Sequence, residues 1–346
     1  MKKLRCCVIG LGRIGYLFHI PAIVAHPQFE LVGVSDRSSD RLEEANEAHG
    51  VATFHSTEEM LQTLKPDLTI IASPTHLHLE HTRLAFQAGS DVFCEKPMAA
   101  SLDEADQMID AMQHYDKKLM VFQPRRLSAE VIALKTILGQ NVLGEIYLIE
   151  RARTDFVQRN DWQSQKKFAG GMLLNYGSHA IDELMFLTQS KLTKQYCGMR
   201  KILSVGDAED VVKIILHTET DAILDIGINM ASAIKQNKWT ILGTRGSITY
   251  DEAGKQFHLR YLEATDLPKL KLQTDLAADN RSYNTMETLP WHDEYIPVPN
   301  YSDINAYDCC YEYYALNQPP FLPIHESREL MRILFDCERI ASEPAK

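Results

Sequence analysis

Long apolar runs are missing: nowhere in the 346 residues do about 18 consecutive apolar residues occur, the length that spans a bilayer. The start, MKKLRCCVIGLG, has a charged opening and a short apolar stretch. It runs directly into glycines and offers no small-residue cleavage site, so it reads as a first strand and the protein is expected in the cytoplasm. Positive charge is in short supply. There are 36 Lys and Arg against 47 Asp and Glu, with a net charge of -11. No nucleic-acid partner is expected, because a phosphate-binding face needs a local excess of cations. The basic clusters are short, such as Arg125-Arg126 and Lys166-Lys167. The seven cysteines are odd in number and show no CxxC spacing, which argues against a disulfide framework and a zinc site. Cys6-Cys7 lies in an apolar stretch and reads as a pair of small buried residues. Internal repeats and low-complexity tracts are also absent.

What is present is the composition of a globular protein, 45% apolar and 24% charged, with enough chain for two domains. Residues 1–122 alternate strand and helix patterns. Short apolar runs occur at Leu4 to Gly10, Phe29 to Asp36, Asp67 to Ser73, Asp91 to Lys96 and Lys118 to Gln123. Between them stand capping boxes at Ser56-x-x-Glu59 and Ser101-x-x-Glu104, and glycines (Gly50, Gly89) where helices should end. Strands alternating with helices give βαβ units and a doubly wound parallel sheet. Residues 123–346 read differently. A helix near Ser128 to Leu138 leads into a long strand, GEIYLIERARTDF, and then into DVVKIILHTE, AILDIGINMA, KWTILGT and GSITYD. These predict an α+β domain with a large, mostly antiparallel sheet. Lys271 to Val298 reads as an irregular excursion, and Glu326 to Ala341 as a packed amphipathic helix.

Gly10-Leu11-Gly12-Arg13-Ile14-Gly15 follows the first strand and opens a helix pattern, and Asp36 ends the next strand 21 residues beyond Gly15. That context is what a dinucleotide fingerprint requires. Gly10 permits the turn, Gly12 lets the backbone approach a pyrophosphate, and Gly15 lets helix and strand pack closely. Arg13 and Ile14 open the helix whose free amides face the phosphates. Asp36 would accept from ribose hydroxyls and favours NAD. Arg37, Ser38, Ser39 and Arg41 follow at once and could hold the extra phosphate of NADP, unless Arg37 covers the adenine and Ser38 caps a helix. NAD is slightly favoured.

Ser73-Pro74-Thr75-His76-Leu77-His78 follows the fourth strand, at the carboxyl edge where such sheets bind ligands. His76 and His78 lack an acidic partner, and no metal is expected. The fifth strand ends Glu95-Lys96-Pro97. Its lysine is either aimed into the cleft by the rigid proline, which can take the cis form, or is an ordinary surface lysine. A third segment, Gly170-Gly171-Met172-Leu173-Leu174-Asn175-Tyr176-Gly177-Ser178-His179-Ala180-Ile181-Asp182, places Asn175, His179 and Asp182 on one face if it is a regular helix.

These three segments, in this order and spacing, resemble the Gfo/Idh/MocA oxidoreductases over nearly the whole chain. The likeness includes Arg125-Arg126, Gly144-Glu145-Ile146 and the turn Gly243 to Ser247. It is nearest in layout to inositol dehydrogenase-like and sugar dehydrogenase-like members. The resemblance implies a Rossmann domain, a second domain whose open sheet makes a homodimer or homotetramer, and a nicotinamide cofactor touched by Ser73, Pro74, His76, His78, Glu95, Lys96 and Pro97. It also implies catalysis by Lys96 and His179. Position 175 departs from the pattern, with Asn where the family commonly has Asp, and an amide cannot relay a proton. The expected substrate is a sugar, inositol or polyol whose secondary hydroxyl loses its proton to His179, with Lys96 donating to the same oxygen. Lys96 would instead be the principal acid/base if desolvation lowers its pKa. Asn175 would orient the hydroxyl or the imidazole, and Asp182 would either lock the His179 tautomer or cap the helix. Arg126, and less directly Arg125, would bind a polyol or carboxylate. Trp162 and Tyr176 would stack on the sugar ring or belong to the core. Two other readings of the same fold remain: a cofactor-binding sensor without catalysis, and a hydrolase or epimerase working by transient oxidation with retained NAD.

Overall fold

Apolar residues on both faces bury the central strands of the first sheet, as parallel packing between helices demands. In a computed structural model, which describes residues 3–267, 269 and 288–343, this sheet comprises β1 (Leu4–Ile9), β2 (Phe29–Ser35), β3 (Ala52–Phe54), β4 (Leu68–Ile71), β5 (Asp91–Glu95) and β6 (Leu119–Phe122). All pairs are parallel, in the order β3-β2-β1-β4-β5-β6. The winding reverses between β1 and β4, which leaves a crevice at the carboxyl ends of those strands.

Helices α1 (Ile20–Ala25), α2 (Ser39–His49), α3 (Thr57–Leu64), α4 (His78–Gln87) and α5 (Leu102–His114) connect the strands. The capping signals act as read. Ser56 Oγ accepts from the Glu59 amide and Ser101 Oγ from the Glu104 amide, and Gly50 ends α2 at φ 62°.

The second sheet joins β7 (Ile146–Thr154), β8 (Leu192–Arg200), β9 (Val211–Thr218), β10 (Ile223–Asn229), β11 (Trp239–Gly243), β12 (Gly246–Asp251), β13 (Gln256–Tyr261) and β14 (His292–Pro297). Its order is β14-β13-β12-β11-β7-β10-β9-β8. The β7–β10 pair is parallel and the others antiparallel. α6 (Ala129–Gly139), α7 (Ser178–Thr188) and α9 (Ile324–Ser342) accompany it. The irregular excursion expected over 271–298 is corrected at its end, since β14 pairs along the whole of β13. Residues 271–287 lie outside the described residues.

The remaining helix, α8 (Ala306–Leu316), returns to the first sheet. Its Tyr307, Cys310, Tyr311 and Tyr314 share one buried cluster with Val8, Ile70 and Phe93, and Lys118 Nζ donates to the carbonyls of Tyr313 and Tyr314. A cut at 122/123 therefore divides the chain but not the packing.

A buried ion pair fastens α7 to the turn after β6. Arg126 donates to both carboxylate oxygens of Asp182 at 3.1 and 2.6 Å, and also to Glu326 and the Phe321 carbonyl. Removing the anion from such a pair strands a desolvated guanidinium. Asp182→Asn should cost about 3 kcal/mol of unfolding free energy, measured by urea denaturation; a loss below about 1 kcal/mol would mean that Glu326 alone compensates Arg126.

Candidate active site

The glycine loop is shaped by contacts that a side chain would break. Gly10 has φ +93°, and a Cβ there would lie 2.8 Å from Ala72 O; at Gly15 a Cβ would meet Gly10 O at 1.9 Å. Gly12, by contrast, faces nothing within 4 Å, so the backbone at the head of the crevice is open to a phosphate. Arg13 and Ile14 begin a helical stretch that passes through a π turn at Gly15–His19 before α1. Asp36 fixes the loop as well as facing the groove. One carboxylate oxygen accepts from the Leu11 amide at 2.7 Å and the other from the Ser38 amide at 2.9 Å. Arg41 stands 3.6 Å away.

A groove of about 670 Å³ runs from this loop, lined by Asp36, Arg37, Ser73, Pro74 and His76. The residues fit a dinucleotide: an open glycine backbone, an acid at one end and a long trough. Trp162 and Phe168 of the second domain also line it, with Phe168 against His76 at 5.6 Å between ring centroids. Trp162 is exposed and so is not core; the loop after β7 brings it to the wall of this groove. His78 is corrected too. It is buried, with Nε2 bonded to Ser73 O and Nδ1 between Pro97 O and Met98 O. It ties the loop after β4 to the loop after β5 and does not face the groove. Among the described residues no group of three His, Cys, Asp or Glu is placed to hold a metal.

The Lys96-Pro97 bond is cis. Glu95 lies beneath the lysine, accepting from the Lys96 amide and bonded to His19, which in turn meets the Tyr307 hydroxyl at 2.8 Å. Lys96 Nζ donates to the side-chain oxygen of Asn175 at 3.0 Å and to its carbonyl at 3.1 Å. The Asn175 amide nitrogen donates to Gln163. Asn175 sits in a π turn, Leu173–Gly177, that precedes α7. That turn breaks the helical register expected to align Asn175 with His179 and Asp182, which keep their own three-residue spacing within α7. Asn175 meets Lys96, whereas Asp182 meets Arg126 and neither locks His179 nor caps the helix.

Electrostatics set this corner apart. Burial, together with the charges of Arg125 and Arg159, brings the Lys96 pKa down to about 8, against the opposing pull of Glu95. Burial pushes His179 well below its ordinary value, and the cations Lys96, Arg125 and Arg151 push it further. His179 Nδ1 is buried without a partner. Arg126, expected in the pocket, is turned into the ion pair with Asp182. Its neighbour Arg125 instead lines a cavity of about 610 Å³ together with Arg151 and Arg153. Arg125 and Arg153 both lie over the Tyr176 ring, at 5.5 and 5.1 Å.

The sequence reading missed Gln123. It leaves β6 one residue after Phe122, which pairs with Glu95, so it emerges beside Lys96. Both of its amide atoms are buried and unpartnered. A glutamine at the carboxyl end of a strand was the available signal.

Comparisons with known proteins show the family. Residues 4–123 match the family model described as "Oxidoreductase family, NAD-binding Rossmann fold", and residues 131–249 match the GFO/IDH/MocA C-terminal domain. Together they cover more than half of the chain, which belongs to the Gfo/Idh/MocA family of NAD(P)-binding oxidoreductases. Its relatives include a D-glucoside 3-dehydrogenase of Escherichia coli, 26% identical, covering 86% of this chain and 90% of that protein. A scyllo-inositol 2-dehydrogenase (NADP(+)) of Bacillus subtilis is 28% identical over 52% of this chain and 50% of its own. In fold, an NAD-binding protein from Listeria innocua superposes with a TM-score of 0.85 at 22% identity, over 98% of this chain and 95% of that one.

If Trp162 packs on the cofactor, Trp162→Ala should weaken NADH binding about tenfold, the equivalent of roughly 1.4 kcal/mol. It should also remove most of the quenching of tryptophan emission on titration with NADH. Unchanged affinity and quenching would place Trp162 away from the cofactor.

Proposed function

We propose that this protein is an NAD(P)-dependent dehydrogenase acting on a secondary hydroxyl of a sugar, inositol or related polyol. The observation that carries this reading is the desolvated Lys96 ammonium, held by a neutral amide at the carboxyl edge of the first sheet, with its charge acting on His179. The dehydrogenases of glucosides and inositol among its relatives support the substrate class. NAD or NADP, when bound, supplies the hydride acceptor or donor.

The chain's own residues handle the proton. A general acid/base works best with a pKa near the operating pH, and Lys96, at about 8, meets that condition better than His179. In the oxidation direction the neutral amine of Lys96 takes the hydroxyl proton; in reduction the ammonium returns it. His179, pushed toward its neutral form, orients the same oxygen through a ring nitrogen. Asn175 holds Lys96 without offering it a counter-charge, and Gln163 fixes the amide of Asn175. NAD is slightly preferred over NADP on the strength of Asp36, whose carboxylate repels a 2′-phosphate, with Arg41 opposing it.

Lys96→Met and His179→Ala should each reduce turnover by at least about a hundredfold with NADH affinity nearly intact; near-normal turnover in either variant would remove that residue from the mechanism. A pH profile separates the roles. kcat/KM for oxidation should rise with pH through about 8 as Lys96 loses its proton, and kcat/KM for reduction should fall. A carboxylate beside an ammonium stabilises the charged form, so Asn175→Asp should move both limbs upward by about one pH unit or more. Limbs that stay fixed in this variant would transfer the acid/base role to another group.

A further inference from the structure

Arginines gather on one side of the acid/base corner, and two of them are only loosely paired. Arg125, Arg151 and Arg153 line the cavity of about 610 Å³, and the first two act directly on His179. Of the four carboxylates on the same wall, Glu252 is exposed and the other three are engaged. Glu183 is bonded by Arg151 at 2.7 and 3.4 Å and reaches Arg125 only at 3.9 Å. Glu130 takes Lys238 and the Trp239 indole. Asp251 accepts from the amides of its own turn. Arg153 reaches Asp155 through one nitrogen at 3.4 Å, while its buried Nε has no partner. Two guanidiniums over one tyrosine ring, with spare donors, form a fork for a bidentate anion.

We infer that the substrate carries an anionic group, a carboxylate or a phosphate, which Arg125 and Arg153 hold over Tyr176. Tyr176 directly follows Asn175, the residue that positions Lys96. The reacting hydroxyl and the anion would therefore lie on neighbouring faces of one turn. A neutral sugar would leave the two partly exposed guanidiniums with donors unused, whereas an acidic sugar would engage them through charge-assisted hydrogen bonds. The inference rests on the reading that the substrate hydroxyl sits at Lys96, but it concerns binding and is tested as binding.

The NADH-loaded protein is titrated by calorimetry with D-glucose, D-glucuronate and D-glucose 6-phosphate, and the same compounds are assayed for turnover with NAD and NADP. At least one acid should bind about tenfold or more tightly than glucose, and comparison of the two acids distinguishes carboxylate from phosphate. Arg153→Gln should abolish that ratio and Arg153→Lys should keep part of it, with NADH binding verifying that each variant is folded. Equal binding of all three compounds, or an acid preference that survives in Arg153→Gln, overturns the inference. Acid preference without turnover of any sugar would sink the dehydrogenase reading alone, and turnover without acid preference would sink this inference alone.

Discussion

A lysine ammonium removed from water and given an amide where a carboxylate would neutralise it is the constraint on which the site depends. Lys96 donates twice to Asn175, so its hydrogen bonds are partly made while its charge is not balanced there. Desolvation then outweighs the pull of Glu95 and brings the lysine down to about 8. An aspartate at position 175 would give the same geometry with the opposite electrostatics. The single atom that separates the amide from the acid thus decides how readily Lys96 exchanges its proton.

Geometry of this kind needs a rigid support, and the support comes from both sheets. His78 ties the loop after β4 to the residues following Pro97 with three carbonyl contacts. Beneath the lysine, Glu95, His19 and Tyr307 make a buried chain that reaches α8. On the far side, Arg126 and Asp182 anchor the start of α7 to the turn after β6. None of these groups needs to touch a substrate. Each fixes the path of a segment that carries a residue of the proposed site, as a preorganised site requires.

Much of this was legible in the sequence because the signals are local. The glycine spacing, the acid at the end of β2, the caps at Ser56 and Ser101 and the strand ending in Glu95-Lys96 each depend on a few adjacent residues. What failed depends on contacts between distant segments. Arg125 and Arg126 are adjacent, yet one lines a cavity and the other is buried against Asp182; no periodicity in a short turn distinguishes them. Trp162 reaches the nucleotide groove because its loop crosses from the second domain to the first. α8 was not foreseen because its Tyr- and Cys-rich sequence, AYDCCYEYYAL, has little helix propensity and is held by burial. β14 escaped because an edge strand of sequence HDEYIP has polar residues on both faces and shows no apolar alternation.

The π turn at Leu173–Gly177 links the two levels. A regular helix through this segment would have put Asn175, His179 and Asp182 in one row, with the acid beside the imidazole. The wider turn takes only Asn175 out of that row; His179 and Asp182 stay three residues apart within the regular helix α7. Asp182 is bound by Arg126, and the charges that act on His179 are those of Lys96, Arg125 and Arg151, all opposing its protonation. Burial and these cations favour the neutral imidazole, while Lys96 is lowered only to about 8, which is the electrostatic ground for the proposed assignment of proton exchange to the lysine. What withholds the aspartate from the imidazole is the guanidinium of Arg126, which holds both of its oxygens, and not the irregular turn.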